Sequence, residues 1–119
     1  MIFGIGTDIL KIERIAAAHA RYGGRFAQRI LMPEELPGFS SSGNPVRYLA
    51  MRFAAKEAFV KAIGTGKSQG LKFHDVQVEG GGRPGLRLMG KAADMADQMG
   101  IRAVHVSLSH ERDHAVAMV

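Results

Sequence analysis

One domain that mixes helices with strands is what this sequence predicts, and three observations predict it. A long helical pattern at 46–63 is apolar on two roughly opposite sides. A hairpin pattern at 71–79 and 85–89 brackets Gly80-Gly81-Gly82-Arg83-Pro84. Alternating segments stand near both ends of the chain, at 2–9 and 103–109. The 119 residues fit a single domain, 1–119. A domain of that size buries a modest core, and oligomerisation would add to it.

The elements follow in order. In the strand at 2–9, alternation places Phe3, Ile5, Thr7 and Ile9 on one face and Ile2, Gly4, Gly6 and Asp8 on the other. The second face is nearly bare beside Asp8, as where a ligand or a helix backbone comes close. Residues 12–22 read as a helix with Ile12, Ile15, Ala16 and His19 inward. Gly23-Gly24 interrupts the pattern, and Arg25 to Leu31 resumes it. Pro33-Glu34-Glu35-Leu36 is a helical start, with Pro in its first turn, and Ser40 to Pro45 a loop.

The helix at 46–63 carries Tyr48, Met51, Ala55, Ala58, Phe59 and Ala62 on one side and Leu49, Phe53 and Val60 on the other. Two polar seams separate these faces, Arg52 with Lys56 and Glu57 with Lys61. Ala50 and Ala54 flank the second seam and leave room for a ligand. Gly64 suits the position just past the helix end. Lys91 to Gln98 is a short helix closed by Gly100. In the strand at 103–109, Val104, Val106 and Leu108 point inward, opposite His105, Ser107 and Ser109. A turn at 110–113 leads to a last strand from His114 to Val119.

Composition narrows the function classes. With no cysteine, disulfides and thiolate metal sites are excluded, and a reducing cytosol fits. The N-terminus lacks a basic leader and places Asp8 in its first apolar stretch, unlike a signal peptide; no apolar run approaches a membrane span. Sixteen Lys and Arg against eleven Asp and Glu give +5, which favours anionic partners or serves solubility alone. Only 7% of residues are aromatic, a poor basis for a nucleic-acid stacking platform.

Asp8 and the Glu57–Lys61 pair are the strongest chemical signal. An exposed pair at this helical spacing contributes about 0.3–0.5 kcal/mol and carries no function. This pair instead lies in a seam between apolar faces, where a carboxylate beside an ammonium stays ionised and can hold a hard cation. Magnesium takes one or two carboxylates plus waters and substrate phosphates, a count that Asp8 and Glu57 meet if the fold joins them. Gly64-Thr65-Gly66-Lys67-Ser68 is not a P-loop: Lys61 stands where the first glycine belongs, and a helix precedes it. A helix cap with a turn, or a phosphate-lining loop, remains. His105, Ser107, Ser109 and His110 share a polar region whose spacing is weak for zinc and lacks a serine-nucleophile elbow. It is a solvated strand face or a set of donors for a phosphate or an adenine. Arg14 and Arg21, followed by Arg25 and Arg29, form a basic stripe that is either solvated or a dock for an acidic helix or nucleic acid.

Three segments together resemble the holo-[acyl-carrier-protein] synthases, the small bacterial class of 4'-phosphopantetheinyl transferases. They are Gly4-Ile5-Gly6-Thr7-Asp8-Ile9, Arg52 to Ala62 with Gly64-Thr65-Gly66, and Val106-Ser107-Leu108-Ser109-His110-Glu111-Arg112. The resemblance runs end to end, in the right order and at the right length. It implies transfer of 4'-phosphopantetheine from coenzyme A to a serine of apo acyl carrier protein, within fatty acid biosynthesis, leaving adenosine 3',5'-bisphosphate. It implies an α+β fold, mostly antiparallel sheet packed around a long central helix, in a cytoplasmic homotrimer with sites between subunits. Asp8 and Glu57 match positions that bind Mg2+, and Lys61 matches the lysine expected to neutralise or protonate the leaving phosphate. Arg52, Lys56, Gly64, Thr65, Gly66, Pro84, His105, Ser109 and His110 match segments lining the coenzyme A site. Arg14, Arg21 and Arg25 match the basic surface that docks the acidic carrier. Two departures are Lys67, where an apolar residue is usual, and Arg83-Pro84 in place of a lysine-proline pair. A basic nucleic-acid module and an inactive scaffold trimer are the competing readings; neither needs Asp8 or Glu57.

Overall fold

The computed structural model describes residues 1–64, 70–80 and 82–119. The described residues form, in order, β1 (Thr7–Lys11), α1 (Ile12–Tyr22), α2 (Gly24–Ile30), α3 (Leu36–Ser41), α4 (Pro45–Ile63), β2 (Val76–Glu79), β3 (Gly85–Leu88), α5 (Gly90–Gln98), β4 (Ser107–His110) and β5 (His114–Met118). Single 3-10 turns lie at Pro33–Glu35 and Phe73–Asp75. Among the described residues the strand pairings are antiparallel: β1-β5-β4 form one sheet and β2-β3 another. This is the α+β arrangement expected, with α4 at its centre. No helix among the described residues is long and apolar enough to cross a membrane.

Helix α4 is set by local chemistry at both ends. Asn44 caps its start, its Oδ1 accepting from the Arg47 amide at 3.1 Å, and Pro45 occupies the first turn, where no amide partner is needed. Gly64 ends it with φ 85°, the left-handed conformation that favours glycine. Its inner residues Leu49, Ala50, Ala54, Ala55 and Ala58 are fully buried, in a core that also holds Leu10, Ile15, Ile30, Leu31, Ala115 and Ala117. A second cluster joins Phe59, Ile63 and Val76 to Ala92 and Met95 of α5.

Several boundaries differ from expectation. Strand β1 begins at Thr7 rather than at residue 2, although Gly6 and Val119 exchange backbone hydrogen bonds of 2.9 and 2.8 Å. Residues 2–5 lie beyond the register that β5 supplies. Strand β4 starts at Ser107, the residue opposite Met118 in β5, for the same reason. In the hairpin, residues 71–75 are not strand: the Asp75 carboxylate accepts from the Lys72 amide at 2.9 Å and curls them into a turn. The serines expected in a loop include Ser40 and Ser41, which finish α3.

Candidate active site

The glycines just before β1 are where α4 docks. A Cβ placed on Gly4 would overlap the Ala62 carbonyl oxygen, and one on Gly6 the Ala58 carbonyl oxygen. Backbone therefore meets backbone: the close approach expected at this bare face is made by the helix. Ala50 and Ala54 do not leave room for a ligand as expected: both are wholly buried in the core that α4 forms with the sheet.

That close approach brings Asp8 to Lys61. The Lys61 ammonium donates to Asp8 Oδ1 and to the Thr7 carbonyl, each at 3.0 Å. The Asp8 side chain is 14% exposed and that of Lys61 54%, so the pair stands at the surface end of the strand–helix contact. Glu57 is half-buried one helical turn before Lys61. It lines a cleft of about 530 Å³ whose walls are Arg29 of α2, Lys56, Glu57 and Val60 of α4, and residues 71–74 with Val76. The Nε2 of His74 lies 2.6 Å from the Gln28 carbonyl and ties the third wall to the first. Among the described residues no group of three or more His, Asp or Glu is placed to hold a metal. Asp8 is not among the residues that line this cleft with Glu57; both carboxylates are donors of the type that magnesium takes when waters and substrate phosphate complete its shell.

The other seam of α4 has a partner that sequence reasoning missed. Lys56 is 1% exposed, and its ammonium donates to Glu35 Oε1 and to the Ile30 carbonyl, both at 2.6 Å. Burial lowers the Lys56 pKa, and the Glu35 carboxylate beside it opposes that shift. Arg52 lies 3.6 Å above the Tyr48 ring and 3.8 Å from Glu35 Oε2, and burial pulls its pKa down as well. The Tyr48 hydroxyl donates to the Glu35 carbonyl at 2.7 Å. Lys56, in a segment matched to the coenzyme A site, lines the cleft, while its ammonium is held inside by Glu35 and the Ile30 carbonyl. Two cations a turn apart between apolar faces demand a buried anion, and that was the sequence signal for Glu35.

The remaining candidates divide by face. Cross-strand partners point the same way. Asp8, Ala117 and Leu108 make a row on the side facing α4, while Thr7, Met118 and Ser107, then Ile9, Val116 and Ser109, make rows on the opposite side. Ser109 thus points away from Asp8 within one chain. His105 and Ser107 line a separate groove of about 860 Å³ with Met1 to Ile5, Phe59 and residues 100–106. It shares no residue with the cleft beside Glu57. His110 is exposed at the end of β4, and Pro84 half-buried in the β2–β3 turn. Arg14, Arg21 and Arg25 are all exposed on α1 and α2. Thr65, Gly66 and Lys67 lie outside the described residues.

A model of the 4'-phosphopantetheinyl transferase superfamily matches residues 4–119. The holo-[acyl-carrier-protein] synthase of Vibrio parahaemolyticus is 53% identical over 120 residues, covering 99% of this chain and 95% of its own. The crystal structure of the Neisseria meningitidis enzyme of that name superposes with a TM-score of 0.91 at 43% identity, covering 99% of this chain and 96% of that one. The Helicobacter pylori enzyme, crystallised in complex with coenzyme A, gives 0.82 at 29% identity, covering 96% of both chains.

Proposed function

This chain belongs to the 4'-phosphopantetheinyl transferase superfamily, and from that premise we infer that it acts as a holo-[acyl-carrier-protein] synthase. It transfers the 4'-phosphopantetheine of coenzyme A to a serine of apo acyl carrier protein and releases adenosine 3',5'-bisphosphate. The observation that carries this reading is the Lys61 ammonium on Asp8, one turn from Glu57 and at the mouth of the strand–helix contact.

The serine oxygen forms a bond to the phosphorus that bears pantetheine, and the bond from that phosphorus to the bridging oxygen breaks. Charge gathers on the departing bisphosphate, where the Lys61 ammonium neutralises it or donates a proton. Glu57 holds the water that accepts the serine proton. Magnesium, held by Asp8 and Glu57 when bound, would neutralise the pyrophosphate.

The two-sided sheet supports a homotrimer with shared sites. Phe3 is 57% exposed, Ile5 62%, Ile9 66% and Met118 51%, an apolar outward face of the kind that another subunit covers. Ser109 shares that face, and His105 is exposed at its edge. A neighbour seated there would receive His105 and Ser109 beside its own Asp8, which one chain by itself does not achieve. Arg14, Arg21 and Arg25 would meet the acidic carrier, since α1 begins directly after the strand that bears Asp8. The absence of cysteine and the metabolite substrate support a cytoplasmic setting, with neither nucleic acid nor membrane as a partner.

Purified protein supplied with coenzyme A, magnesium and apo acyl carrier protein is expected to add one phosphopantetheine to the carrier, read by mass spectrometry. No mass gain on any apo carrier would remove the reading.

A further inference from the structure

We propose that Glu35 is a positioning residue for this transfer: its buried carboxylate, together with the Lys56 ammonium it holds, links the elements that wall the cleft lined by Glu57. The inference rests on the transferase reading and adds to it a residue that does not touch substrate.

Glu35 is 2% exposed, and its partner Lys56 lines the cleft. Its Oε1 accepts from Lys56 Nζ at 2.6 Å and from the Met32 amide at 2.8 Å, and its Oε2 accepts from the Val78 amide at 3.0 Å. Lys56 precedes Glu57 on α4. Its ammonium also holds the Ile30 carbonyl, next to Arg29 of the α2 wall. Val78 lies in β2, two residues beyond Val76 of the third wall. One carboxylate and one ammonium therefore fix α2, α4 and β2 against one another at the residue that precedes Glu57.

An ion pair with both charges out of water is an expensive way to hold a fold. Apolar residues of similar volume stabilise as well or better. What the pair supplies is directionality. Its hydrogen bonds are satisfied in one arrangement of the three walls, whereas apolar contacts tolerate sliding. Rotation of α4 about its axis would carry Glu57 with Lys56, and the Glu35 contact opposes that rotation. A carboxylate that must meet a metal and a phosphate needs that restraint, because a small misplacement costs rate steeply.

The test is the double variant Glu35→Gln with Lys56→Met, which removes both charges and keeps an amide oxygen for the Val78 or Met32 amide. Folding is checked by circular dichroism. The variant is expected to stay folded, with its KM for coenzyme A and the magnesium concentration for half-maximal rate raised about tenfold to a hundredfold. Its KM for the carrier should not change. A role in stability alone would lower the active fraction and leave both of the first two constants at wild-type values, and that result overturns the proposal. If the double variant does not fold, Glu35→Asp, which keeps the charge and draws it back by one methylene, is read in the same way. Failure of both to fold makes Glu35 a stability residue and also overturns the proposal. Wild-type transfer measured alongside separates this failure from failure of the transferase reading itself.

Discussion

The ammonium of Lys61 sits 3.0 Å from Oδ1 of Asp8, across 53 positions of sequence. The contact exists because two glycines let a helix backbone press on a strand. It joins the cation expected to meet the leaving phosphate to one of the two carboxylates expected to hold magnesium.

Lys61→Met should separate catalysis from stability. The Lys61 side chain is 54% exposed, so its loss should cost about 1 kcal/mol or less in urea unfolding, even with the Asp8 side chain 14% exposed. Transfer should fall by about a hundredfold or more, because a group aimed at developing charge is lost. Near-normal transfer would remove Lys61 from the reaction.

Glu57→Gln and Asp8→Asn should each abolish transfer in protein that stays folded. EDTA should stop the wild-type reaction, and added magnesium should restore it. Transfer that persists in EDTA would end the metal assignment for both carboxylates.

Gly6→Ala should loosen the strand–helix contact. Its Cβ would overlap the Ala58 carbonyl oxygen and come within 2.6 Å of the Ala62 amide nitrogen, neither of which can swing aside. Overpacking of this kind costs about 1–3 kcal/mol, and Asp8 moves with the strand. Gly43→Ala, with nothing within 4 Å of the added carbon, is the control and should change stability by less than about 0.5 kcal/mol. Equal unfolding midpoints for the two variants would contradict the packing described.

Ile9→Glu should place a charge on the outward sheet face and shift sedimentation towards the monomer, with loss of transfer. Complementation tests the shared site more directly. Inactive Asp8→Asn and inactive His105→Ala proteins, unfolded and refolded together, should recover part of the activity. No recovery in mixed trimers would place both residues in the same subunit's site.

The long helix, its Gly64 end, the hairpin and the inward stripe of α1 were legible because each rests on local spacing and backbone preference. The boundaries that moved, at Thr7 and Ser107, depend on how far β5 extends to pair with them. A neighbouring strand's reach is not written in the segment it limits.

Sequence by itself determined the chemical inventory: Asp8 beside glycines, Glu57 and Lys61 on one seam, and a motif order specific enough to identify a family. Only the tertiary structure decided which of those charges meet. It set Lys61 on Asp8, turned Lys56 inward to Glu35, and put Ser109 on the sheet face opposite Asp8. The physical reason is that a helical seam says which side chains share a face but not what stands opposite. Glu35 is 21 residues from Lys56, and Asp8 is 53 from Lys61, so packing alone selects those partners.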